Sequence, residues 1–165
     1  MLKDIVIDFD NPNNYFSIKI YRERENVPFY TTLDYYNAEG DVMYIVDNFG
    51  FIDEIECVYC CSATEMPVIY PPLDEIRKAP ILIYRPILIN EDENSHFFAI
   101  VYSKEKLNIL FSSNIKDIVF YCQEGRINYY TDRHHNLISI EINDLQPCEY
   151  SALRRKRASS KIHRY

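Results

Sequence analysis

The stretch Gly40-Asp-Val-Met-Tyr-Ile-Val-Asp47-Asn-Phe-Gly-Phe-Ile-Asp-Glu-Ile55-Glu56 lies without a gap on Gly125-Arg-Ile-Asn-Tyr-Tyr-Thr-Asp132-Arg-His-His-Asn-Leu-Ile-Ser-Ile140-Glu141. Gly, Tyr, Asp, Ile and Glu coincide at five of the 17 positions, and Val42 meets Ile127 as Ile52 meets Leu137. Each copy reads as a hairpin. Val42, Tyr44 and Val46 alternate with other residues and so share one face of a strand; the loop Asp47–Gly50 follows and Ile52–Tyr59 returns. In the second copy Ile127–Thr131, a turn over Arg133–Asn136 and Leu137–Ile142 repeat the plan, with Ile138, Ile140 and Ile142 expected on one face.

Upstream, at a smaller offset, Ile5-Val-Ile-Asp8 resembles Ile87-Leu-Ile-Asn90, Tyr15–Ile18 resembles Phe97–Ile100, and Val27-Pro-Phe29 resembles Ile109-Leu-Phe111. Self-similarity in preserved order is the mark of an internal duplication. Each copy is expected to hold strands at Asp4–Phe9 or Pro86–Asn90, Tyr15–Arg22 or Phe97–Ser103, and Val27–Leu33 or Leu107–Ser112. Two helices are expected. Pro72–Ala79 has proline in its first turn, acids early and bases late, as the helix dipole prefers. The other follows Pro147, anchored by Tyr150 and Leu153. The expected fold is α+β and mostly β: a single domain of two antiparallel β-meander repeats, about 1–82 and 83–150, each followed by a short helix. Their two sheets should pack together, because one alone buries too little. A basic tail, 151–165, completes the chain.

At 165 residues with 47% hydrophobic and 26% charged content, the composition is that of a folded domain. Three glycines leave little material for a phosphate loop, and 15 tyrosines and nine phenylalanines favour strands. The longest apolar run, Ala79–Tyr84, is far below the roughly 20 residues a bilayer requires. Met1-Leu-Lys-Asp4 does not begin a secretory signal, so a cytoplasmic location without membrane partners is expected. An odd count of five cysteines agrees with that compartment.

No catalytic or metal signature emerges, and neither enzymatic activity nor a cofactor is expected. Cys57-x-x-Cys60-Cys61 resembles half a zinc site, but Cys122 and Cys148 lie too far off and unpaired. Cys57, in register with Ile55, reads as a packed thiol. His134-His135 reads as a hairpin tip. Acids, by contrast, are in excess: the net charge is −7, and residues 1–150 alone carry −13 because the tail holds six bases and no acid. They group at Asp8 and Asp10; Asp41 and Asp47; Asp53, Glu54 and Glu56; and Glu91, Asp92 and Glu93, with Tyr35 and Tyr36 interleaved. A surface of that sign attracts basic partners and repels phosphate.

This profile of acidic turns and interleaved tyrosines resembles the immunity proteins of bacterial contact-dependent inhibition and related polymorphic toxin systems. That resemblance implies a protein–protein interaction in which carboxylates cover the active site of a basic toxin domain, typically a nuclease. The residues it points to are Asp8, Asp10, Asp47, Asp53, Glu54, Glu56, Glu91, Asp92, Glu93, Tyr35 and Tyr36. The duplicated sheet-plus-helix outline is also similar to the Whirly and PUR-type single-stranded nucleic-acid-binding proteins. That likeness implies nucleic-acid contact through the basic residues of 154–164, Arg154-Arg-Lys-Arg157 foremost.

Overall fold

The computed structural model describes residues 2–10, 15–23, 30–37, 40–47, 51–58, 63–79 and 99–162. The expected strand Pro86–Asn90, the acidic group Glu91–Glu93, and Cys60 and Cys61 lie outside them. Among the described residues the chain is mostly strand, with one α-helix and two sheets. It divides into two compact units, Met1–Cys60 with Ile83–His96, and Cys61–Leu82 with Phe97–Tyr165.

The first unit holds β1 (Leu2–Asp10), β2 (Tyr15–Arg22), β3 (Tyr30–Asn37), β4 (Gly40–Asp47) and β5 (Ile52–Val58) in one antiparallel sheet of order β1-β2-β5-β4-β3. Alternation settles its faces. Ile7, Ile18, Ile55 and Tyr44 stand side by side across four strands and are buried, as are Ile5, Ile20, Val42, Val46, Ile52 and Cys57.

The second unit holds β6 (Thr64–Glu65), β7 (Arg77–Lys78), β8 (Ala99–Tyr102), β9 (Leu107–Leu110), β10 (Phe120–Glu124), β11 (Ile127–Thr131) and β12 (Leu137–Ile142), in the order β6-β8-β9-β12-β11-β10-β7. Its five central strands repeat the connectivity of the first sheet, with β8 in the place of β1 and β10 in the place of β3. The buried row recurs as Ile100, Ile109, Ile140, Tyr129 and Cys122. This order sets β9 against β2, whereas the sequence comparison had paired Tyr15–Arg22 with Phe97–Ser103; the first-half correspondence is therefore displaced by one strand. The aligned glycines also differ in role. Gly40 begins a strand, while Gly125 occupies the β10–β11 loop at φ 57°, where glycine is the unstrained choice.

The hairpins agree more closely. The β4–β5 register shifts between Ile45 and Val46, and the β11–β12 register shifts between the aligned Tyr130 and Thr131. Each bulge is followed by the shared aspartate, which closes its own loop. Asp47 Oδ1 accepts from Phe51 N at 2.9 Å and Asp47 N donates to Phe51 O at 2.9 Å. Asp132 Oδ1 accepts from Asn136 N at 2.9 Å and Asp132 N donates to Asn136 O at 3.0 Å. The bulge corrects one expectation. It turns Ile138 away from Ile140 and Ile142, and Ile138 packs instead with Ile76, Ile118 and Tyr130.

Residues 72–79 are not helical. Glu75 N closes a turn on Pro72 O, and the chain then runs as β7, with Arg77 N on Val119 O and Ala79 N on Tyr121 O. Between Pro72 and Pro80 there is room for barely two helical turns, which are marginal unaided, and the edge of β10 satisfies the backbone better. The segment 63–79 is thus a strap. It pairs in parallel with β8 at one sheet edge and β10 at the other, shielding both.

The second helix forms as expected: α1 spans Pro147–Ile162. Pro147 opens its first turn, and Glu149 accepts from Gln146 N at 2.8 Å, satisfying a donor at the helix start. Arg126 grips Glu149 through two bonds of 3.0 and 2.8 Å, and Leu153 is fully buried.

Burial raises the Asp132 pKa, but the backbone and amide bonds from Asn136 and the His134 N–H outweigh it, leaving the carboxyl below its usual value. A depressed folded pKa gives stability that is present above the unfolded value near 4 and lost as pH falls through the folded one. We expect Asp132→Ala to cost about 1–2 kcal/mol near neutrality in urea unfolding, with the deficit shrinking below pH 4. A deficit independent of pH would show that the charge on this carboxylate plays no part.

Candidate functional site

The outer face of the first sheet gathers acids. Register places Asp4, Val6, Asp8 and Asp10 of β1 beside Tyr21, Lys19, Ser17 and Tyr15 of β2, and Lys19 and Ser17 beside Glu54 and Glu56 of β5. The strand positions of Asp34, Asp41 and Tyr36 belong to the same face, Asp34 opposite Met43 and Tyr36 opposite Asp41. Tyr35 is opposite Val42, a core position, so its place on the strand is separated from these acids. Of the side chains described, Asp4, Val6, Asp8 and Tyr21 are exposed. Glu54 pairs with Lys19 at 3.4 Å, and Glu56 accepts the Tyr15 hydroxyl at 3.0 Å.

Two of the acids singled out in the sequence do other work. Asp47 is buried and closes its loop. Asp53 sits at the bulge and pairs with Arg22, which also donates to Ile52 O and lies over the Phe51 ring. The structure therefore brings Asp8, Asp10, Glu54, Glu56 and the Tyr36 position to one face, and sets Asp47, Asp53 and Tyr35 apart.

The two units differ in charge. The first contains 15 acids and five bases, a net −10, while the second has ten acids and 13 bases, a net +3. All eleven residues named as partner contacts belong to the first.

The second unit holds a polar site that the sequence did not announce. Tyr70 of the strap stacks on Tyr130, ring centroids 4.3 Å apart, donates to Asn108 Oδ1 at 2.9 Å, and lies 2.6 Å from Ser139 Oγ. Beside it Glu141, 1% exposed, accepts from Asn128 Nδ2 at 3.0 Å, Tyr130 OH at 3.1 Å and Lys106 Nζ at 2.9 Å. Three donors of this kind satisfy the hydrogen-bonding capacity of a carboxylate buried inside a sheet. The partnership has a counterpart in the first unit. Tyr15 bonds Glu56 there as Lys106 bonds Glu141 here, each from two residues before the buried Ser17 or Asn108 that pairs with the glutamate. A cavity of about 580 Å³ opens over Glu141 and Asn128, walled by Tyr70, Pro71, Pro72 and Leu73. The only signal in the sequence was indirect: a proline-punctuated run, 67–72, ahead of a strand carrying a glutamate.

His134 and His135 lie at an exposed hairpin tip, with His135 stacked on Phe120 and His134 accepting from Arg133 Nε. Cys57 and Cys122 are buried and Cys148 is exposed. No group of metal-binding side chains occurs among the described residues. No helix there is long and apolar enough to cross a membrane. No protein-family model and no curated protein matches this sequence.

Burial, with the nearby Glu141 charge, pushes the Tyr70 and Tyr130 phenols well above their usual pKa. Their contribution to stability is whole below about pH 10 and falls away as pH rises beyond it. Tyr70→Phe leaves Asn108 Oδ1 without this donor and should cost about 1–3 kcal/mol in urea unfolding. In a spectrophotometric titration Tyr70 and Tyr130 should be among the phenols that ionise only with unfolding, and Tyr70→Phe should show one fewer such phenol than the wild type. Titration of every tyrosine near pH 10 in the folded state would contradict the burial.

Proposed function

We propose that this chain is a non-enzymatic binder of a basic protein, acting as an immunity protein that covers the active site of a nuclease toxin. The observation that carries this reading is the concentration of charge: a net −10 in the first unit, with Asp4 and Asp8 exposed beside Val6 and Tyr21. Carboxylates with apolar and aromatic neighbours suit an interface in which charge steers encounter and desolvated side chains hold the complex. The partner's Lys, Arg or His side chains, which otherwise meet nucleic-acid phosphates, would meet these acids. The matching strand order, bulges and aspartate-closed loops support an origin of the two units by duplication, after which the first became the acidic one.

The test is capture with the intact chain, co-expressed with the product of the neighbouring gene upstream. Retention of a basic nuclease whose cleavage is suppressed at one-to-one stoichiometry, and whose association slows as salt rises, is the expected result. Asp4→Lys with Asp8→Lys alters only exposed positions, so the fold should keep its stability within about 0.5 kcal/mol. Association should slow about tenfold at low salt. A partner bound at the same rate by this double variant would remove the acidic face from the reading.

Helix α1 favours a second reading, single-stranded nucleic-acid binding, because Arg154, Arg157 and Lys161 fall on one side of it at helical spacing. Leu153 is fully buried, so truncation must begin at Arg155 to spare the fold. Salt-sensitive oligonucleotide binding lost in that truncation would support this reading, and binding that survives it would contradict it.

A further inference from the structure

We infer that the cavity beside the strap of the second unit receives an arginine side chain of a partner polypeptide, with the strap's apolar crest packing around its neighbours. The inference stands on residues of the second unit alone and is independent of how the acidic sheet face is used.

The first observation is the crest. Met66, Ile69 and Leu73 are 49%, 87% and 50% exposed, and they supply three of the five large apolar side chains exposed among the described residues. All three fall within eight residues of a strap whose two ends are fixed to sheet edges by backbone pairing. Pro67, Pro71 and Pro72 restrict the backbone between those ends, so the crest is presented with little conformational freedom to lose on binding. Apolar side chains held out in this way mark an interaction surface more often than scattered ones do.

The second observation is the cavity, because Leu73 belongs to both crest and wall. Its charged lining is unevenly satisfied. Lys106 is engaged by Glu141 at 2.9 Å, and Arg126 is engaged twice by Glu149. The Asp144 carboxylate makes no such bond; only its carbonyl accepts, from Arg126 and Gln146. Asn128, 7% exposed, lines the same cavity, and its Oδ1 has no hydrogen-bond partner. Among the lining groups that stay unsatisfied are thus a carboxylate and an amide oxygen. Tyr70, Pro71, Pro72 and Leu73 provide flat apolar walls beside them.

That combination selects its occupant. A guanidinium offers five N–H donors in a plane and carries an aliphatic stem, so it can lay the stem on the walls and address the exposed Asp144 carboxylate. An anionic group would face the Asp144 charge, and a purely apolar one would leave that carboxylate dry and unpaired.

The test is a titration of the full-length, ¹⁵N-labelled chain with blocked leucine–X–leucine tripeptides, where X is arginine, glutamine or glutamate. The arginine peptide should shift the amides of Gln123, Gly125, Asn128 and Asn143 in a saturable way. It should bind about threefold to fivefold more tightly than the glutamine peptide, the scale of one partly exposed ion pair. Asp144→Asn should abolish that preference while leaving the glutamine peptide unchanged. The substitution suits the fold, because Asp144 holds φ 55° and asparagine tolerates that region as well. Ile69→Ser with Leu73→Ser should weaken all three peptides alike. Equal affinity for arginine and glutamine, an arginine preference that survives Asp144→Asn, or shifts confined to other residues would each overturn the inference.

Discussion

Register is the constraint on which both units depend. In a sheet with one apolar face, a slip of one residue transfers the whole apolar set to the wrong side. In each unit the slip is opposed at the same place, by a bulge followed by an aspartate whose carboxylate binds the backbone of the residue just before the return strand. Asp47 does this with Phe51 and Asp132 with Asn136. With the central hairpin pinned, Ile55 must face Ile18 and Tyr44, and Ile140 must face Ile109 and Tyr129. The remaining strands add to an edge whose faces are already decided.

The hairpins were legible because their signal is local. Period-two alternation, a shared aspartate and β-branched residues all lie within 17 positions, and Tyr15–Arg22, Ile127–Thr131 and Leu137–Ile142 carry the strands read from them. What failed did so for identifiable reasons. Ile138 obeyed the alternation in sequence but not in space, since a bulge is invisible to a pattern of period two. Pro72–Ala79 had the charge order of a helix, yet pairing with β10 decided its conformation, and β10 itself had not been recognised. The β9 and β8 strands are both short and apolar, so similarity alone could not say which was the counterpart of β2.

The candidate sites divide along the same line. Acid content is additive along the chain and could be read without coordinates, which is why the net charge of the first unit follows from the sequence once its limits are known. The polar pocket depends instead on a contact between Tyr70 and Ser139 across 69 positions and on one between Lys106 and Glu141 across 35. Neither pairing leaves a trace in composition or spacing. Glu141 in particular looked like one more solvated carboxylate on a strand.

Glu56 and Glu141 occupy matching places in two sheets of the same central strand order but different surroundings. Each occupies the same place on the last strand of its hairpin and meets a side chain from the matching place on the neighbouring strand, Tyr15 or Lys106. In the second unit the strap covers that position. The carboxylate there is surrounded by donors and its charge is matched within the unit, so it contributes little field to the outside. In the first unit Glu56 is only half-buried and meets a neutral phenol, so its charge is left for its surroundings to answer. The glutamate at this register is therefore enclosed in the second unit and half-buried in the first. The difference lies in what was laid over the sheet, not in the sheet itself.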